Sequence, residues 1–141
     1  MILKRETISK AILKLRDEYI EKEMPEGSTY WDINNGDCDN FALDTIYYLS
    51  PGGETENLYC VVNGNFQIVD DIWDKNLLNE YWKDVKPLYN LTWEDTNKIR
   101  FGNHMWITDG KYHYDAECPE GVKNFFELPI FKRYFEQAYN K

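Results

Sequence analysis

Three positions far apart in the chain carry side chains that could act together on a carbonyl group: Cys38, His104 and Asp115. A thiol attacks carbonyl carbon as the thiolate, so it needs a base and an electropositive setting. Cys38 follows Asp37, a residue type favoured at helix N-caps, and Phe41, Ala42, Thr45 and Leu49 then fall at helical spacing. The thiol is therefore expected in a first helical turn, where unpaired backbone N–H groups and the positive end of the helix dipole favour the thiolate. The same helix end offers an oxyanion site built from the Cys38 N–H and one donor of the preceding loop. Asn34, Asn35 and Trp31 are the candidate donors, with an amide of Asn34 or Asn35 favoured.

The base and its partner follow from a hairpin. Asp109-Gly110 is a two-residue turn signal between strand-like runs at 104–108 and 111–115. A two-residue loop sets Ile107 opposite Tyr112, Trp106 opposite His113 and His104 opposite Asp115. Opposed residues of an antiparallel pair lie close enough for an imidazole N–H to reach a carboxylate. A carboxylate on one ring nitrogen fixes the tautomer and leaves the other to exchange a proton with the nucleophile.

Each residue also has a plainer role. Cys38 could be a small apolar residue beside Phe41 and Ala42, and His104 a structural histidine bridging two strands. Glu117 is a substitute acid one face-repeat beyond Asp115. His113 is a rival base, but it lacks an opposed carboxylate in this register and reads as a wall residue. Cys60 and Cys118 read as packing thiols. Trp31 and Trp106 flank the proposed site in sequence and are the candidate substrate walls. The three cysteines form no C-x-x-C pair, so no metal site and no cofactor is expected.

Gly36-Asp37-Cys38-Asp39-Asn40-Phe41-Ala42 resembles the nucleophile segment of papain-like and transglutaminase-like cysteine enzymes, above all the bacterial transglutaminase-like proteinases, with their Gly-x-Cys-x-Asp-aromatic-Ala stretch. Gly102-Asn103-His104-Met105-Trp106-Ile107 and Tyr114-Asp115-Ala116-Glu117 resemble the histidine and aspartate strands of that superfamily, in the same Cys, His, Asp order. Asn40 departs from the pattern, standing where those families often carry Asp. The resemblance covers roughly a fifth of the chain. It implies a papain-like or transglutaminase-like α+β fold, with the nucleophile helix packed on a small antiparallel sheet. It also implies acyl transfer through a Cys38 thioester, with peptidase, amidase, deamidase, transglutaminase and acyltransferase outcomes all open. Cleavage of an amide in a peptide, protein or small molecule is the first expectation. The alternative is a papain-like binding or inhibitor module with little or no catalysis, of the kind a phage or mobile element encodes, motivated by the small size and by acidic Asp37 and Asp39 beside Cys38.

The elements that must position these residues are legible in outline. Ile8, Ile12, Leu15 and Tyr19 recur at steps of four, three and four, predicting one helix over 7–23 with a single buried stripe. Pro25, Gly27 and Ser28 end it and open a loop that runs through Tyr30 and Trp31 to Gly36. The Cys38 helix stops at Ser50-Pro51-Gly52-Gly53. Strands are expected at 58–62 and 65–69 around an Asn63-Gly64 turn, a short helix at 75–82, and a helical tail over 131–139 behind Pro129.

With 141 residues, 43% of them hydrophobic, the chain suffices for one domain over 1–141. A net charge of −9 disfavours nucleic acid and anionic membrane as partners. No apolar run approaches the roughly 20 residues needed to span a bilayer, and Lys4, Arg5 and Glu6 interrupt any leader-like start, so a cytoplasmic protein with reduced thiols is expected.

Overall fold

The computed structural model describes residues 2–53, 55, 57–62 and 104–139. Helix α1, Arg5–Glu18, buries Ile8, Ala11, Ile12 and Leu15, the stripe expected from the spacing. It runs on as a π-helical turn, Tyr19–Glu23, in which Tyr19 meets Phe41 edge to face with ring centroids 5.2 Å apart.

The stretch expected as a continuous loop contains a second helix, α2, Tyr30–Gly36. It forms because the Asp32 carboxylate accepts bonds from the Thr29 N–H at 2.7 Å and the Thr29 hydroxyl at 3.0 Å, satisfying donors at the helix start. Fully buried Ile33 then anchors it in the core. Asp37 joins two helices: its N–H bonds the Ile33 carbonyl at 2.8 Å, ending α2, and its carbonyl takes the Phe41 N–H at 2.9 Å, starting α3, Cys38–Leu49. Phe41, Ala42 and Thr45 form the buried face of α3.

Among the described residues, four strands form one antiparallel sheet in the order β1 (Tyr59–Val62), β2 (Met105–Thr108), β3 (His113–Asp115), β4 (Cys118–Val122). The expected turn at Asn63-Gly64, the strand at 65–69 and the helix at 75–82 lie outside the described residues. Strand β1 pairs along its length with β2, Cys60 facing Ile107 and Val61 facing Trp106.

The β2–β3 register differs from expectation. Ile107 faces Tyr114 rather than Tyr112, and Thr108 faces His113, so the pairing is displaced by two residues. The cause is the Asp109 side chain, which accepts from the N–H groups of Lys111 at 2.9 Å and Tyr112 at 2.7 Å. Together with a bond from the Thr108 hydroxyl to the Tyr112 carbonyl at 2.7 Å, this draws residues 109–112 into a longer loop. Gly110 supplies the left-handed backbone there, at φ +92°.

Strand β4 was not expected, because Pro119 and Gly121 weaken its sequence signal. It closes on β3 through the turn at Ala116 and Glu117, with Asp115 facing Cys118 and an irregular register beyond. Gly121 is required at its position: φ is +78°, and a Cβ there would stand 2.6 Å from Cε1 of Tyr114.

Side-chain alternation splits the core across the sheet. Ile107 and Tyr114 pack with α1, α2 and α3, while Trp106, Val61 and Cys118 pack with Phe125, Phe126, Phe131 and Phe135. The latter set belongs to a 3-10 turn, Phe125–Glu127, and to helix α4, Pro129–Tyr139, which starts on its proline. Among the described residues the fold is thus α+β, with four α-helices and a four-stranded antiparallel sheet on which α1 packs. No helix among the described residues is long and apolar enough to cross a membrane.

Candidate active site

Cys38 is the first residue of α3, at the end whose amides lack intrahelical acceptors. The Asp37 carboxylate does not occupy those amides; it accepts instead from the Asn40 side chain at 3.0 Å. His104 stands just before β2 and is 1% exposed. Its Nε2 lies 3.0 Å from Oδ2 of buried Asp115. The two-residue displacement keeps this pair because an even shift leaves every side chain on its face. Continued from Ile107 and Tyr114, the register sets Asp115 one diagonal step from His104, within reach of two side chains of this length. The other carboxylate oxygen, Oδ1, takes the backbone N–H of Glu117 at 2.9 Å, so the turn into β4 fixes the acid.

Electrostatics couples the three groups. Burial opposes charge on both Cys38 and His104, raising the thiol and lowering the imidazole. It is outweighed: a hydrogen bond to the His104 side chain, the charge of that ring and the Met105 backbone N–H bring Cys38 below its ordinary range. Hydrogen bonds to Asp115 and Cys38, with their negative charges, raise His104 to about 9. Asp39 opposes the thiolate in the expected sense without reversing the balance. Both shifts run toward a thiolate–imidazolium pair.

The other thiols differ. Cys118 is buried and pushed far up, first by burial and then by the negative charge of Asp115 and Glu120; Cys60 is half-buried within β1. The rival base His113 is buried against Trp106, accepting its Nε1–H on Nδ1 at 3.0 Å, and burial lowers it to about 4. It is a neutral core residue.

An open cleft of about 300 Å³ lies between the end of α2 (Asn34, Asn35, Gly36), the start of α3 (Cys38, Asp39) and the entry to β2 (His104, Met105). Both expected amides line it. Asn35 is exposed, whereas Asn34 is 2% exposed and donates from Nδ2 to Oε1 of Glu117 at 3.0 Å. The two tryptophans are not walls of this cleft. Trp106 is 1% exposed and stacks behind the His104 ring, centroids 5.7 Å apart, where it stiffens the histidine from the core side. Trp31 packs against the α4 side of the core under the Arg133 guanidinium, 4.1 Å from its ring centroid.

Glu117, expected as a substitute acid, does not bond to His104 through its side chain. Its carboxylate accepts from Asn34 and from both terminal nitrogens of Arg133, with Nη1 at 2.7 Å. Arg133 approaches the site from α4, and no local sequence pattern marks it.

A larger groove of about 460 Å³ between α1, the π turn and α3 holds no thiol or imidazole among its lining residues. Among the described residues, no cluster of His, Cys, Asp and Glu could hold a metal ion. No family model, curated protein or solved structure matches this chain.

Proposed function

We propose that this chain is a cysteine hydrolase of the papain-like and transglutaminase-like kind, acting on an amide or peptide through a Cys38 thioester. The observation that carries the reading is a half-buried thiol at a helix start that lines one cleft with a buried imidazole, itself 3.0 Å from a buried carboxylate. With Nε2 of His104 bonded to Asp115, proton exchange with the sulfur falls to Nδ1.

In the reaction, the Cys38 thiolate adds to the substrate carbonyl carbon, and the carbonyl electrons move onto oxygen. The Cys38 backbone N–H and an amide of Asn34 or Asn35 stabilise that oxyanion. Collapse breaks the C–N bond, the amine leaves with a proton from His104, and the acyl group remains as a thioester. A water then gives its proton to His104, adds to the thioester and releases the acid, returning the thiolate. A primary amine in place of water gives transfer instead of hydrolysis through the same steps. The separate thiols Cys38, Cys60 and Cys118 suit the reducing cytoplasm.

The test is turnover of a pool of peptides and small amides, read by mass spectrometry. New termini or released ammonia with the native protein, lost in Cys38→Ala and in His104→Ala, support the reading. A ligand that binds the native protein and Cys38→Ala alike, with no turnover of any substrate, would favour a binding module.

A further inference from the structure

Glu117 occupies a junction that the three reacting groups do not explain. Its backbone N–H fixes Asp115 at 2.9 Å, while its side chain holds Asn34 at 3.0 Å. One residue thus ties the acid behind His104 to the wall of the cleft beside Cys38. An ionised carboxylate only accepts hydrogen bonds, so Glu117 dictates which end of the Asn34 amide faces it. One Nδ2 hydrogen is committed to Glu117, and a primary amide carries a second.

Glu117 is held in turn by Arg133 through both terminal guanidinium nitrogens, a fork that fixes a carboxylate in plane as well as in position. The same guanidinium covers the ring of Trp31, three residues before Asn34 on α2. Arg133 of α4 therefore meets α2 directly at Trp31 and reaches Asn34, one turn on, through Glu117, and α2 ends at Gly36, two residues before the nucleophile. A seven-residue helix has little stability of its own, so its orientation depends on such outside contacts.

We infer that Glu117 and Arg133 are positioning residues which orient the Asn34 amide as an oxyanion donor for acyl transfer at Cys38, without contributing to thiolate formation. The inference rests on the acyl-transfer reading above. It separates two properties of the site: the Glu117 backbone N–H that supports Asp115 survives any side-chain change, whereas the hold on Asn34 does not.

Two small probes read these properties apart. Iodoacetamide alkylates a thiolate by displacement at a saturated carbon and needs no oxyanion site. p-Nitrophenyl acetate acylates it through a tetrahedral oxyanion: the sulfur–carbon bond forms, the carbon–oxygen bond of the ester breaks, and p-nitrophenolate leaves with the electron pair. The ratio of acylation to alkylation at Cys38, measured on each purified full-length variant, therefore reports oxyanion stabilisation.

Asn34→Ala is expected to lower this ratio about 100-fold, the scale of losing one oxyanion donor. Glu117→Ala and Arg133→Ala, which misplace the donor rather than remove it, should lower it about tenfold. Glu117→Gln keeps one acceptor oxygen but loses the two-point fork with Arg133, and should restore the ratio only in part. In all four variants the pH dependence of alkylation should match the native protein, which also reports an intact site. An unchanged ratio in Glu117→Ala and Arg133→Ala, with alkylation still selective for Cys38, would overturn the positioning role alone. Loss of selective alkylation in the native protein would overturn the acyl-transfer reading itself.

Discussion

At the scale of single residues, the proposed chemistry depends on two shifts of opposite sense, half-buried Cys38 down and buried His104 up to about 9. Asp115 is the external support of that pair, because its charge and hydrogen bond favour the imidazolium. Asp115→Asn should lower the His104 pKa and raise that of Cys38, cutting the alkylation rate at about pH 6 by roughly 100-fold; rate measurements with peptide mapping check this. The two histidines also bound stability from opposite sides. His104 has its pKa raised on folding, so its contribution is present below its ordinary 6.5 and is lost as pH rises through about 9. His113 has its pKa depressed to about 4, so its contribution is present above 6.5 and is lost as pH falls. Thermal unfolding should accordingly show a loss of about 3 kcal/mol from His113 between pH 6.5 and about 4, a loss much reduced in His113→Gln after its lower baseline is allowed for.

At the scale of elements, what could be foreseen from the sequence depended on how local the physics is. The α1 stripe, the Cys38 helix start and the tail behind Pro129 rest on spacing and caps within a few residues. The seven residues of α2 are too few to show periodicity, and their signal was the Thr29-x-x-Asp32 box. Asp32→Ala should therefore lower stability by about 1 kcal/mol and reduce acylation of Cys38 by loosening the wall that carries Asn34. Strand β4 was hidden by Pro119 and Gly121, and Gly121 is also the residue its backbone cannot replace. Gly121→Ala meets both a left-handed φ of +78° and the Tyr114 ring, so it should cost about 2 kcal/mol or more in chemical denaturation. The Asp109-Gly110 signal located the β2–β3 turn but not its length, because Asp109 bonding of the loop amides competes with a two-residue turn. The His104–Asp115 pair tolerated that error because the displacement was even.

At the scale of the whole molecule, the sheet brings together groups that no short window of sequence contains. Residue 38 meets residue 104 because α3 packs on β2, and the two-sided core seals Trp106 behind the histidine ring. The Arg133, Glu117 and Asn34 network joins α4, the β3–β4 turn and α2 across 16 and 83 residues. Such contacts follow from tertiary packing and leave no periodic trace, which is why both tryptophans were expected as cleft walls and Arg133 was not foreseen.

The thiolate–imidazolium pair is tested most directly by the pH dependence of iodoacetamide labelling at each cysteine, with the native protein and His104→Ala compared side by side. In the native protein, Cys38 should react far faster than Cys60 and Cys118 at about pH 6, on a plateau reaching toward pH 9. In His104→Ala that plateau should vanish and Cys38 should titrate near or above an ordinary thiol. Equal rates at the three cysteines in the native protein, or a Cys38 profile unchanged by removal of His104, would contradict the pairing on which the proposed chemistry depends.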